Sequence, residues 1–252
     1  MKKVLFLILM AVGIIQIAKA DETGFVLTPT NNTVTENFDG MWDATQQTAT
    51  LTMPSGWRID RQLSAPRMVG AYSSGATSVM YEGGVSLASN ASNGTWNFGS
   101  SATPSDRAVG GLSTTVSSGT RCVSVMTQLT NGGTEPINQL TISYDIEKYR
   151  KGDNPEGFTV QMYYSNDGTT WVKAGDDFKT DFAKDDATAG AAVVPISTTT
   201  VSAKQLTLTT STAVAVGSSI YLAWNITVSG GTSPQQGDGS GTRQHQHRSS
   251  LW

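Results

Sequence analysis

Apolar and polar residues alternate along three stretches of the chain. INQLTISYDI carries Leu140, Ile142, Tyr144 and Ile146 at every second position, and GFTVQMYYS does the same with Phe158, Val160, Met162 and Tyr164. In SIYLAWNITV, Ile220, Leu222, Trp224, Ile226 and Val228 share one side, with Tyr221, Ala223, Asn225 and Thr227 on the other. A period of two predicts antiparallel strands with one face buried and one face wet. Weaker strands are expected at VTENF, TATLTM, TWNF, CVSVMTQL and QLTLTT, separated by the turn-rich spacers SSG, ASNG, NGG, GDNPEG and SGG. TDFAKDDATAGAA has Phe182 as its one large apolar anchor and reads as a loop rather than an amphipathic helix. About ten short strands without helices predict an all-β fold, a two-layer antiparallel β-sandwich of jelly-roll type. Its core should hold Leu140, Ile142, Tyr144, Val160, Met162, Leu222, Trp224 and Ile226. No internal repeat or linker divides the chain, so residues 34–235 are expected to form one domain after a lead-in at 21–33.

The N-terminus changes the compartment. Lys2 and Lys3 precede an apolar run from Val4 to Ile17, and Ala18-Lys19-Ala20 offers a small-x-small cleavage site. These three parts predict a secretory signal over residues 1–20. Roughly twenty apolar residues are needed to span a bilayer, and this run is shorter. A secreted protein without a membrane span is expected, whether periplasmic, cell-surface or extracellular. Cleavage removes three basic residues and no acidic one, taking the net charge from −3 to about −6. A nucleic-acid partner would need a basic stripe, so that class is set aside. Cys122 is the single cysteine, which leaves no internal disulfide and reads as a small buried hydrophobe.

Chemistry-bearing motifs are sparse. In YYSNDGTTW, Asp167-Gly168 suits a tight turn with Trp171 packing behind it. The string resembles the Asp-box of sialidase propeller blades, but it occurs once and no blade repeat follows. Outside the C-terminal tail the chain has no histidine, so neither a Ser-His-Asp nor a Cys-His arrangement can form, and no catalytic residue is expected. Two carboxylates would suffice for a jelly-roll glycosidase, yet no Glu-x-Asp-x-x-Glu strand is present. Asp176-Asp177 and Asp185-Asp186 flank a loop and offer oxygen ligands for calcium, against the commoner reading of solvated loop charges. Trp57, Trp96, Tyr149, Arg150 and Trp171 are the candidates for a flat sugar-stacking surface, against the alternative that they pack in the core.

VTENFDGMWD followed by MPSGWRI, with Glu36, Phe38, Asp39, Gly40, Pro54, Gly56 and Trp57, resembles the opening of secreted jelly-roll modules of the cleaved-adhesin and MAM-like type. TWNFGSSATPSDRAVGGL and ISYDIEKYR resemble an uncharacterised family of exported bacterial domains. Asn97, Phe98, Gly99, Ser100, Asp106, Arg107, Ala108, Gly110 and Leu112 carry the first block of that likeness. Ser143, Tyr144, Glu147 and Arg150 carry the second, with Tyr149 in place of the usual Trp. The resemblance implies calcium ligands at Glu36 and Asp39. It also implies that such domains sit at the N-terminal end of larger secreted proteins bearing a nuclease or surface-anchoring region.

The related domains close with a strand like Gly-Leu-Asp-Asn-Ile-Ser-Ile, whereas this chain ends in GTRQHQHRSSLW. Gln-His-Gln-His read one base later can encode only a polar/β-branched alternation, so a frameshift near residues 238–242 accounts for His245 and His247 better than its main rival, a vector-derived scar, and better than a metal site. Residues 236–252 are therefore expected to be disordered. The functional expectation is an exported, non-catalytic module for extracellular binding or surface display, with glycan as ligand. The alternative is a truncated accessory domain of a larger secreted enzyme.

Overall fold

The computed structural model describes residues 24–42, 51–83, 93–99, 105–114, 119–151, 157–183, 191–192, 201–228 and 239–248. The signal segment and Asp185-Asp186 lie outside them. Among the described residues sixteen strands run in chain order: β1 (Phe25–Leu27), β2 (Thr33–Glu36), β3 (Trp57–Gln62), β4 (Tyr81–Gly83), β5 (Gly94–Phe98), β6 (Ala108–Leu112), β7 (Cys122–Asn131) and β8 (Ile137–Lys148). They continue as β9 (Arg150–Lys151), β10 (Phe158–Ser165), β11 (Val172–Lys173), β12 (Lys179–Phe182), β13 (Ala191–Ala192), β14 (Val201–Val214), β15 (Ser219–Val228) and β16 (Gly239–Arg248). Among the described residues the only helical pieces are the short 3-10 turns Asp39–Met41, Tyr72–Ser74 and Asp176–Phe178. No helix among them is long and apolar enough to cross a membrane.

The strands form a two-layer β-sandwich. The first sheet runs β1-β7-β15-β10-β11, with β3 also on β7 and β12 also on β10. The second runs β14-β8-β16-β6-β5-β4, with β2 also on β16. Pairing is antiparallel except at two margins, β1 on β7 and β4 on β5. The lead-in thus begins the fold rather than preceding it, because Phe25–Leu27 extends the first sheet beyond the end of β3.

All eight predicted core residues are buried between the layers. Trp224 meets Trp57 at 6.1 Å and Tyr144 at 5.6 Å, and Phe38 abuts Trp57 edge-on at 5.1 Å. Full burial of a large apolar side chain contributes roughly 1.5–3 kcal/mol, so this knot of rings is a main source of stability. The acidic opening motif serves that knot. The Phe38 N–H donates to Glu36 Oε1 at 2.7 Å, and Asn37 Nδ2 donates to Asp39 Oδ2 at 2.7 Å. These bonds hold Phe38 at φ 61°, a left-handed conformation that disfavours any residue with a Cβ. Gly56, at φ 79°, lets the following turn deliver Trp57 from the other side.

Two expectations need correction. The polar side of β15 is not wet: Ala223, Asn225 and Thr227 are all buried. The segment from Leu63 to Gly75 crosses the outer face of the first sheet and covers them, and alternation within one strand carries no information about such a cover. Residues 239–248, expected to be disordered, form β16 between β8 and β6. Without it both neighbours would expose unpaired backbone groups, and any extended segment free of proline can satisfy them whatever its side chains.

Candidate functional site

Strand register lays out the covered outer face as rows of side chains. One row runs Lys179, Gln161, Asn225, Ser124, Asp60 across β12, β10, β15, β7 and β3. The next runs Lys173, Tyr163, Ala223, Met126, Arg58. Beyond it lie Ser165, Tyr221 and Gln128. Tyr72, Met126 and Ala223 form a small apolar cluster here, with half-buried Val69, Tyr163, Trp171 and Tyr221 around it. Tyr72 and Tyr221 approach to 5.0 Å, and the Arg58 guanidinium sits 5.2 Å from the Tyr72 ring.

The strap and the β10–β11 turn hold each other. Trp171 Nε1 donates to the Gly70 carbonyl at 2.9 Å, and the Tyr72 N–H donates to the Gly168 carbonyl at 2.8 Å. Gly168 takes φ 71°, and a Cβ there would press on the Tyr221 ring. Asp167 Oδ1 accepts from the N–H groups of Thr170 (2.6 Å) and Thr169 (2.7 Å) and from the Ser165 hydroxyl (2.8 Å). Those bonds hold its carboxyl well below the usual carboxylate range. The Asp-box-like string is therefore a self-closed turn that also fixes one end of the strap.

Beneath the strap the polar groups are only partly matched. Asn225 Nδ2 donates to Ser124 Oγ at 2.9 Å and to the Met68 carbonyl at 3.3 Å. Gln161 Nε2 donates to the carbonyls of Met162 and Gly175, both at 3.0 Å. The oxygens of these two opposed amides, Asn225 Oδ1 and Gln161 Oε1, are buried without a hydrogen-bond partner. Cys122 is a buried thiol whose Sγ donates to the Met68 carbonyl at 3.2 Å, and burial pushes its pKa up. It is structural, not reactive.

A second polar cluster lies at β4, β5 and β6. Arg107 donates through Nε to Asn97 Oδ1 at 3.0 Å and through Nη2 to the Asn97 carbonyl at 2.7 Å. Nη2 also lies 3.6 Å from Glu82 Oε1, both side chains being fully buried. Asn97 Nδ2 donates to the Met41 carbonyl at 3.0 Å, the Arg107 N–H donates to Asp39 Oδ1 at 2.9 Å, and the guanidinium lies 5.4 Å from the Trp42 ring. Burial lowers the Arg107 pKa, with Glu82 opposing that fall. On the far face of β5 the rings of Trp96, Phe98 and Tyr149 stack at 5.8 and 5.2 Å. The Tyr149 hydroxyl donates to Glu147 Oε2 at 2.6 Å, and burial followed by that carboxylate pushes its pKa up.

The five stacking candidates do not assemble a platform. Trp57, Trp96 and Tyr149 are buried in apolar clusters, because a large ring gains more from burial than from exposure, and Arg150 is buried as well. Trp171 is half-buried on the strapped face. Its neighbours Tyr163, Tyr221, Gln161 and Asn225 were not singled out from sequence. The available signal was an amide opposite each strand's largest hydrophobes, in VQMYY and AWNIT. Of the calcium candidates, Glu36 caps Phe38, and both oxygens of Asp39 accept hydrogen bonds. Among the described residues no three His, Cys, Asp or Glu side chains gather around a common point.

No family profile matches this chain, and no curated protein does. Among solved structures it is similar to the crystal structure of the infectious bursal disease virus VP2 subviral particle, at 12% identity and a TM-score of 0.27. The match covers 87% of this chain and 56% of that one, so the chain spans about half the length of that protein.

Proposed function

We propose that the protein is an exported, non-catalytic β-sandwich module that binds an extracellular glycan through the strapped face of its first sheet. The observation that carries this reading is the half-buried pair Trp171 and Tyr163 beside the buried amides of Gln161 and Asn225. Sugar sites combine an aromatic surface for the C–H face of the ring with a few amide groups for its hydroxyls. The acidic side chains described above support a non-catalytic role. Glu82 faces Arg107, Glu147 accepts from Tyr149, and Asp39 and Asp167 are occupied in turns.

A glycan array probed with the purified chain and with Trp171→Ala tests the reading. The wild-type protein is expected to retain a subset of glycans, and the variant to lose them while keeping its far-ultraviolet circular dichroism. An array without retained glycans, or one on which the variant performs as well as the wild type, overturns the proposal.

A further inference from the structure

Gln161 Oε1 and Asn225 Oδ1 are among several buried side-chain atoms without a hydrogen-bond partner, Trp57 Nε1 and Thr120 Oγ1 being others, and these two belong to register partners on one face. Gln161 and Asn225 stand directly opposite each other on β10 and β15. Each sends its N–H groups away from the gap, Asn225 towards β7 and the strap, Gln161 towards Gly175. The two carbonyl oxygens are both closed off from solvent, and neither has a hydrogen-bond partner. Turning the Asn225 amide over would set its oxygen against the Met68 carbonyl, two acceptors at 3.3 Å, so the strap itself fixes the orientation. A buried acceptor left empty costs far more than one that is matched, and a pair of them calls for a species that brings donors.

Three features of the surroundings select that species. The acceptors are neutral, which suits hydroxyl donors, whereas an anion such as phosphate would be repelled. Lys179, the register partner of Gln161, is matched to Asp181, its Nζ lying 2.6 Å from Asp181 Oδ2. The adjacent position on β10 is Tyr163, and Trp171 borders the same face, giving apolar ring surface beside the acceptors.

The strap has the construction of a lid over this pair. Its ends are firm: the Arg121 N–H donates to the Gln62 carbonyl at 2.7 Å, and the Gly70 N–H donates to Asp60 Oδ2 at 2.9 Å. Between them the Met68 carbonyl is held by the long Asn225 amide bond and by a thiol, a weak donor. Arg67 sits at φ 56°, a conformation that disfavours a side chain, and Met68 is 46% exposed.

We infer that Gln161 and Asn225 form a two-acceptor subsite for the hydroxyl groups of a sugar, entered when the segment Leu63–Val69 lifts, with Trp171 and Tyr163 taking the apolar face of the same ring. The inference rests on the glycan reading and names the residues that give it specificity. Titration calorimetry with the methyl glycosides of galactose, glucose, mannose and N-acetylglucosamine is the test, run on the wild-type chain, Gln161→Met and Trp171→Ala. Hydrogen exchange is followed in parallel, and circular dichroism melts confirm that each variant folds. At least one glycoside is expected to bind, to slow amide exchange at Met68–Gly70, and to bind roughly tenfold more weakly to Gln161→Met, the loss that one ligand hydrogen bond represents. Unchanged affinity in Gln161→Met alongside lost binding in Trp171→Ala overturns the subsite and leaves the glycan reading standing. Binding of none of the glycosides overturns both. A melting temperature raised by potassium chloride in the wild type but not in Gln161→Met, without glycoside binding, reassigns the pair to a cation and overturns the subsite.

Discussion

Among the described residues, two buried polar clusters differ in how their members are held. Around Arg107 the guanidinium makes two hydrogen bonds to Asn97 and an ion pair with Glu82 at 3.6 Å, and the Asn97 amide uses both its oxygen and its nitrogen. Around Asn225 and Gln161 the nitrogens are used and the oxygens are idle. A buried network that satisfies its members rigidifies the fold, whereas a half-satisfied one is a liability unless something else completes it. The first cluster therefore belongs to stability. It ties β4, β5 and β6 to the turn that props Phe38. Under the glycan proposal the second belongs to the face that admits the ligand, where Trp171, Tyr163 and Tyr221 are half-buried.

Breaking the Arg107 cluster should have the largest effect. Arg107→Ala leaves the Glu82 carboxylate buried without its cation, which costs about 3–5 kcal/mol. Urea unfolding should show this as a large drop in midpoint. The double variant Arg107→Met with Glu82→Leu should recover most of the loss, because it removes both charges at similar volume. A single variant within about 1 kcal/mol of wild type would mean that the pair is not buried as described.

The two amides sharpen the contrast. Asn97→Leu strands the Met41 carbonyl and Arg107 Nε, and should cost about 2–3 kcal/mol. Gln161→Met removes an idle oxygen along with two donated bonds, and the Met162 carbonyl keeps the Ala174 N–H at 3.1 Å. Its cost should stay under about 1 kcal/mol. Parallel urea titrations compare the two directly, and equal losses would erase the distinction between the clusters.

That distinction was not legible in the sequence, although the fold was. Alternation in β8, β10 and β15 identified the core side because each residue there packs against the opposite sheet, a relation that period two encodes. It misread the other side of β15, because the strap that covers Asn225 lies more than 150 residues earlier in the chain. The sugar-platform candidates failed for a related reason. Tryptophan and tyrosine fill cores and line sites equally well, and only position separates Trp57 at 2% exposure from half-buried Trp171. The tail shows the limit of side-chain pattern from the opposite direction. GSGTRQHQHR has no apolar period, yet as β16 it occupies the gap between β6 and β8 by backbone pairing.

The smallest expected effect concerns the turn that anchors the strap, and it depends on pH. Asp167 is exposed, yet three hydrogen bonds to its Oδ1 favour the ionised form and depress its folded pKa. A carboxyl with a folded pKa below its unfolded value, about 3.9, contributes stability that is present above that value. The contribution fades as pH falls through it towards the folded pKa. Asp167→Asn lacks the titrating group, so its melting temperature should lie slightly below that of the wild type at neutral pH. The two should converge as the wild type loses its contribution between roughly pH 4 and pH 2. Because the Gly168 carbonyl accepts the Tyr72 N–H, loosening this turn in acid should also speed amide exchange at Tyr72 in the wild type. Melting curves that stay parallel down to acid pH would show that the carboxylate does not hold the turn. The strap over Gln161 and Asn225 would then need another anchor at that end.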